Sequence, residues 1–152
     1  MKRLLFVGIA ALNLLLLDQF VKKVAECFWD ASPISLPGGF LNLVCVRNRG
    51  CAWGMLQGSA IPLALFGAVA LAVLMWKRRL FFRAGLWGTV VETIAYAGIA
   101  GNLIDRIVRG FVVDMFDFHF HGWHFPAFNV ADVCISLAAF MLVCEAFFFR
   151  EK

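Results

Sequence analysis

Four long apolar runs limit what this chain can fold into. Leu4–Leu17 carries no charge and follows Lys2 and Arg3. Ala60–Trp76 carries none and is followed by Lys77, Arg78 and Arg79. Ala84–Ile104 is charged only at Glu92, and Phe125–Phe149 only at Asp132 and Glu145. A helix that spans a bilayer needs roughly 17–25 such residues. The first run reaches that length only if its helix continues through Asp18, Gln19 and Phe20 toward Lys22. The chain is 62% hydrophobic and 16% charged, whereas a soluble domain averages about 45–50% apolar and about 25% charged residues. No soluble surface is easily built from that composition. The reading is a membrane α-helical fold in a single domain, 1–152. Its four transmembrane helices fall near 4–22, 60–76, 84–104 and 127–149.

Basic residues ahead of an apolar run are also the form of a secretory signal peptide. VAEC at 24–27 even has the outline of a lipoprotein cleavage box. Glu26 stands where that box needs a small residue, and no A-x-A site follows the run, so the first segment is expected to be a retained helix. Lys and Arg then orient the bundle. One side holds eight (Lys2, Arg3, Lys77, Arg78, Arg79, Arg83, Arg150, Lys152) and the other six (Lys22, Lys23, Arg47, Arg49, Arg106, Arg109). The positive-inside rule places both termini and the basic 77–83 connection in the cytoplasm. The net charge of +4 therefore reports topology and gives no reason to expect nucleic acid.

The outer connections, about 23–59 and 105–126, read as β-rich. Pro33, Pro37, Gly38 and Gly39 are turn signals, and FLNLVCVRN (40–48) alternates in the manner of a strand. MFDFHFH (115–121) places Phe116, Phe118 and Phe120 on one face and Asp117, His119 and His121 on the other. Five cysteines form no CxxC pair, so neither a disulfide framework nor a zinc signature is implied. Cys134 and Cys144 read as buried apolar residues. Cys27, Cys45 and Cys51 can pair only in an oxidising compartment. The glycines and alanines of 85–101 read as a surface for close helix packing.

Ionisable groups inside membrane segments are costly and need an explanation. Asp18 and Lys22 are spaced i,i+4 and suit an ion pair near the outer interface. Asn102, Asp105 and Arg106 fall within about one helical turn. Asp105 reads as structural, while the guanidinium of Arg106 suits a backbone carbonyl or a lipid headgroup. Glu92 is expected to face the bundle, bonded to Thr89 or Thr93, and Glu145 to snorkel to the cytoplasmic interface. Asp114 and Asp132 have no cation within four residues. Brought together in low dielectric, two such acids share one proton, which is the equipment for general acid–base hydrolysis. The ionised carboxylate activates water, and the protonated one binds the scissile carbonyl and protonates the leaving amine. His119 and His121 with Asp117 have ligand chemistry for a metal, set against the plainer reading of polar residues on the wet face of a strand.

DQFVK (18–22), NRGCAWG (48–54), GNLIDR (101–106), GFVVDMFDF (110–118) and FNVAD (128–132) occur in this order. Together they resemble the lipoprotein signal peptidases, the type II signal peptidases of bacterial inner membranes, over nearly the whole chain. The resemblance implies four transmembrane helices with a small extracytoplasmic β-cradle, both termini cytoplasmic and the active site toward the outer leaflet. It implies an aspartic endopeptidase that cuts prolipoprotein signal peptides before a diacylglyceryl-modified Cys. No cofactor and no metal are implied, and a monomer among membrane lipids is expected. Asp114 and Asp132 take the catalytic positions, with Asp117 a nearby decoy. Asn48, Gly50, Asn102, Arg106, Val112 and Asn129 take substrate-binding positions. The family usually reads N-x-G-A-A-F-S where this chain has Cys51, Trp53 and Gly54. Three other classes compete: a proton- or ion-coupled transporter using Asp114, Asp132 and Glu92, a non-catalytic membrane chaperone, and a metallopeptidase using the histidines.

Overall fold

The computed structural model describes residues 1–51, 55–120 and 123–148. Helix α1 spans Lys2–Val24 and continues as a π-helical turn, Ala25–Trp29. Strands β1 (Ile34–Ser35) and β2 (Leu41–Asn48) follow, then α2 (Ala60–Trp76), the short α3 (Arg78–Phe81) and α4 (Leu86–Val108). The chain closes with β3 (Val112–Phe120), β4 (Trp123–His124) and α5 (Val130–Phe148). Helix α2 covers the second apolar run. The first and third run beyond the expected 22 and 104, because the charges that end their apolar runs are buried and paired rather than solvated. The end of the fourth expected segment, Phe149, lies outside the described residues.

Among the described residues, two helical stretches are long and apolar enough to cross a bilayer, Lys2–Trp29 and Val130–Phe148. Helix α2 is apolar but has 17 residues, about 25 Å at 1.5 Å per residue. Helix α4 has 23 residues and carries Glu92, Asp105 and Arg106. The bundle is inverted relative to a soluble protein. Leu5 is 66% exposed, Phe66 75% and Phe147 80%, whereas Asp18, Lys22, Glu92 and Asp105 are buried at 1% or less. An apolar coat over a charged interior suits hydrocarbon solvent.

The four strands form one antiparallel sheet in the order β1-β2-β3-β4. Leu43 pairs with Phe116 but Val46 with Asp114. Three residues of β2 thus advance against two of β3, which is a bulge. Past it, Asn48 stands opposite Val112, diagonal to Asp114 on the same face. Phe116, Phe118, Phe125 and Phe128 pack as rings with centroids 5.6–5.8 Å from Phe128. That cluster ties the sheet to the start of α5.

Small residues set the approach of α4 to α5. A Cβ added at Gly98 would lie 2.6 Å from the Ala131 carbonyl oxygen, and one at Gly101 would lie 2.7 Å from Asp18 Oδ2. At Gly98 only glycine avoids moving the α5 backbone, and at Gly101 a Cβ would push on the buried Asp18 carboxylate.

Candidate active site

Asn129 begins the site. Its side-chain oxygen accepts from the Asp132 backbone N–H at 2.9 Å, and its own backbone N–H donates to Asp132 Oδ2 at 3.3 Å. This reciprocal pair is a capping box, with Asn129 at N-cap and Asp132 at N3. The Asn129 amide also donates to Asp114 Oδ1 at 2.6 Å. One asparagine therefore holds both acids, one from the first turn of α5 and one from β3.

Each acid has a second donor, in both cases a side-chain amide. The Asn48 amide donates to Asp114 Oδ2 at 3.0 Å, while its oxygen accepts the Gly50 N–H at 2.9 Å. The Asn102 amide donates to Asp132 Oδ1 at 2.7 Å. Burial pushes the Asp114 carboxyl up to about 7, and the nearby negative charge of Asp132 adds to the rise. Both acids line a cavity of about 450 Å³, with Asn48, Gly50, Asn102, Arg106 and Val112 on its wall. Asn129 acts from behind the acids, reaching both by hydrogen bonds. Phe125, Phe128, Val133, Ile135 and Leu137 make much of the wall apolar.

Arg106 donates to the Gly50 carbonyl at 3.2 Å, the backbone role its fork suits. A Cβ at Gly50 would lie 2.3 Å from the Met55 carbonyl oxygen, so this turn requires a residue without one. Of the three departures from the family pattern, Cys51 lines the cavity, while Trp53 and Gly54 lie outside the described residues.

The largest addition to the sequence reading is a cation behind Asn102. Lys22 is fully buried and binds Asp18 at 2.8 Å and Asp105 at 2.7 Å. It also donates to Asn102 Oδ1 at 3.1 Å, so one amide links the ammonium to Asp132. The expected Asp18–Lys22 pair is present; it is buried and shared with Asp105. Asp18 Oδ1 also accepts the Ala131 N–H at 2.9 Å, which fixes α5 against α1. Asp105 pairs with Lys22 and Arg109, not with the adjacent Arg106.

Glu92 corrects another expectation. Arg78 grips it with two bonds of 2.6 and 2.8 Å, and Arg3 adds one at 3.0 Å. The hydroxyls of Thr89 and Thr93 donate instead to the carbonyls of Gly85 and Thr89. Glu92 thus closes the bundle at the end opposite the sheet. It does not join Asp114 and Asp132 in a path, and the transporter reading loses its support. Glu145 approaches Arg83 at 3.8 Å. The described cysteines are all free. His121 lies outside the described residues, and the cluster that forms is Asp117, His119 and His124, away from the cavity wall.

A family model described as Signal peptidase (SPase) II matches residues 10–148. A lipoprotein signal peptidase of Fusobacterium nucleatum subsp. nucleatum is 33% identical over 143 residues, covering 93% of this chain and 86% of that one. One from Syntrophus aciditrophicus (strain SB) is 35% identical over 153 residues, covering 95% and 93%. One from Burkholderia multivorans is 36% identical over 146 residues, covering 89% and 83%. Among solved structures, a bacterial membrane enzyme determined by the in meso method superposes with a TM-score of 0.80 at 27% identity, covering 97% of this chain and 93% of that one.

Proposed function

The chain belongs to the signal peptidase II family, and we propose that Asp114 and Asp132 are the acids with which it cuts. It is an aspartic-type peptidase that removes signal peptides from lipoprotein precursors. The observation that carries the proposal is the single asparagine, Asn129, bonded to both acids at the wall of one cavity. Its amide reaches Asp114 and its backbone N–H reaches Asp132.

In this reading Asp114, which burial pushes up to about 7, carries the proton that the two acids share, and Asp132 acts as the base. Asp132 takes a proton from water, and the hydroxide adds to the scissile carbonyl carbon. Asp114 donates a hydrogen bond to the oxyanion that forms. It then passes its proton to the leaving nitrogen as the C–N bond breaks. The cycle ends with Asp132 protonated and Asp114 ionised, and a proton transfer between them resets the pair. Asn48, Asn102 and Asn129 hold the carboxyls at fixed positions through this exchange. Gly50, Arg106 and Val112 shape the wall that receives the peptide.

The apolar wall of Phe125, Val133, Ile135 and Leu137 suits a substrate carrying diacylglyceryl chains on the Cys that follows the cut. Anchoring by those chains confines the search to the membrane plane and positions the scissile bond. In this reading the four long helices α1, α2, α4 and α5 span the bacterial inner membrane. The termini and the 77–83 connection face the cytoplasm, and the sheet and acids face the outer leaflet. The basic residues around α3 favour that orientation.

The test is cleavage of a lipid-modified prolipoprotein by the purified full-length enzyme. Asp114→Asn and Asp132→Asn should each lower the rate by about 10²–10⁴-fold, the range of a lost acid or base. Cleavage at the wild-type rate by either variant would remove that acid from the pair. Equal processing of the same precursor without its lipid would remove the diacylglyceryl group from substrate recognition.

A further inference from the structure

The β3–β4 hairpin brings together three groups that the peptidase chemistry does not use. Asp117 and His119 are two residues apart on β3, so their side chains leave the same face. His124 on β4 is the direct cross-strand partner of His119, a position that sets Cβ atoms about 4.5–5.5 Å apart. The two imidazole centroids are 3.9 Å apart. His119 Nε2 lies 2.7 Å from Asp117 Oδ2, and His124 Nδ1 lies 3.8 Å from Asp117 Oδ1. Taken one per residue, the three ligand atoms all lie within 4.8 Å of one another. Asn42 Nδ2, from β2, lies 2.8 Å from the same ring nitrogen, His119 Nε2, a contact that an ion bound at that nitrogen replaces.

We propose that Asp117, His119 and His124 bind one Zn²⁺ ion across the β3–β4 hairpin. Imidazole nitrogens bind Zn²⁺ at about 2.0–2.1 Å and carboxylate oxygens at about 2.0–2.2 Å, which puts neighbouring ligand atoms of a tetrahedral ion about 3.3 Å apart. The two imidazoles lie 2.7 and 3.8 Å from different oxygens of Asp117, Oδ2 and Oδ1, so the carboxylate stands close to both rings. The His124 side chain is 61% exposed, so its ring is free to close the remaining gap. Two imidazoles and a carboxylate are a donor set that suits Zn²⁺ rather than Ca²⁺ or Mg²⁺, which take oxygen ligands. With three protein ligands the fourth position is left to water.

The site also has a structural consequence. Directly after β4, the Phe125 N–H donates to the Phe118 carbonyl at 2.9 Å, and Phe125–Phe128 line the cavity that holds Asp114 and Asp132. A metal ion joining His119 to His124 staples the hairpin where the chain leaves for that rim.

The experiment titrates Zn²⁺ into full-length, tag-free enzyme in detergent against a chromophoric chelator, with thermal unfolding as a second readout. The expected result is one Zn²⁺ per chain, at least tenfold weaker binding in His124→Ala and in Asp117→Asn, and a Zn²⁺-dependent rise in thermal midpoint that His124→Ala lacks. Peptidase activity of His124→Ala without added metal shows that this variant folds. The proposal is overturned if wild type binds no Zn²⁺, or if His124→Ala and Asp117→Asn bind it as wild type does. It is equally overturned if binding is lost when Cys27, Cys45 and Cys51 are replaced by Ser and kept in His124→Ala.

Discussion

Asn129 shows how much one residue decides here. It caps α5, fixes the orientation of Asp132 through that cap, and reaches across to Asp114. The N-x-x-D spacing of a capping box stands in FNVAD, so its local geometry is legible in the sequence. The reach to Asp114 is not, because it depends on where β3 lies. The same holds for the missing cation. Asp132 has none within four residues, yet Lys22 stands behind Asn102, its bonding partner 80 positions away. Asp114 also couples the site to stability. Its carboxyl goes from an ordinary 3.8 to about 7 on folding, so between those values the native state holds a proton that the unfolded chain has released. Stability from this group is full below the unfolded value and is lost as pH rises through about 7. A tenfold change in proton affinity corresponds to about 1.4 kcal/mol, giving an effect on the order of a few kcal/mol. Asp114→Asn has no proton to lose. Its thermal midpoint relative to wild type should therefore rise between pH 5 and pH 8. A difference that stays flat across that range would show that Asp114 titrates normally in the folded protein.

At the scale of elements, alternation alone locates the strands. FLNLVCVRN (40–48) and the described part of MFDFHFH (115–120) overlap β2 and β3, although Phe118 and Phe120 of the apolar face stay 38% and 69% exposed. The bulge between Leu43 and Val46 leaves no mark in that pattern. Helix ends differ from expectation for a definite reason: Asp105 and Arg109 look like solvated ends, but burial and pairing let α4 run on to Val108. The small-residue stripe is legible as a packing surface, though not its link to the acids. Gly98 and Gly101 let α4 approach the first turn of α5, and Asn102 follows directly on that face. Gly98→Ala tests the link. Its Cβ would meet the Ala131 carbonyl oxygen at 2.6 Å, whereas a Cβ at Gly67 would meet only Leu103 at 3.9 Å. Forced overpacking costs about 1–3 kcal/mol. Gly98→Ala should lower the thermal midpoint and also the cleavage rate, because α5 carries Asp132 away from Asn102. Gly67→Ala should do neither. If both variants behave as wild type, the close approach of α4 to α5 is not needed for the site.

Among the described residues, the fully buried ion-paired groups sit in two clusters at opposite ends. Lys22, Asp18 and Asp105 support the end with the sheet, and Glu92 gathers Arg3 and Arg78 at the other. Composition and apolar runs announce a membrane bundle, but the partners of these charges come from distant segments, as with Arg3 and Glu92, 89 positions apart. No local pattern could pair them. The separation of the clusters makes a sharp expectation for Glu92→Gln. The neutral amide keeps the shape and gives up the charge that holds two guanidiniums. Breaking a buried ion pair from one side costs about 3–5 kcal/mol. Arg3 and Arg78 are 30% and 28% exposed, so water screens them and about 1–3 kcal/mol is the fitting scale. For a chain of this length, each kcal/mol moves the thermal midpoint by about 2–4 °C. Glu92→Gln should therefore melt several degrees lower, while kcat at saturating prolipoprotein, measured well below the new midpoint, stays near that of wild type. Loss of kcat with an unchanged midpoint would place Glu92 in the reaction and revive a proton path between the two ends. Loss of stability alone leaves Glu92 as the clasp that joins α1, α3 and α4 at the face away from the chemistry.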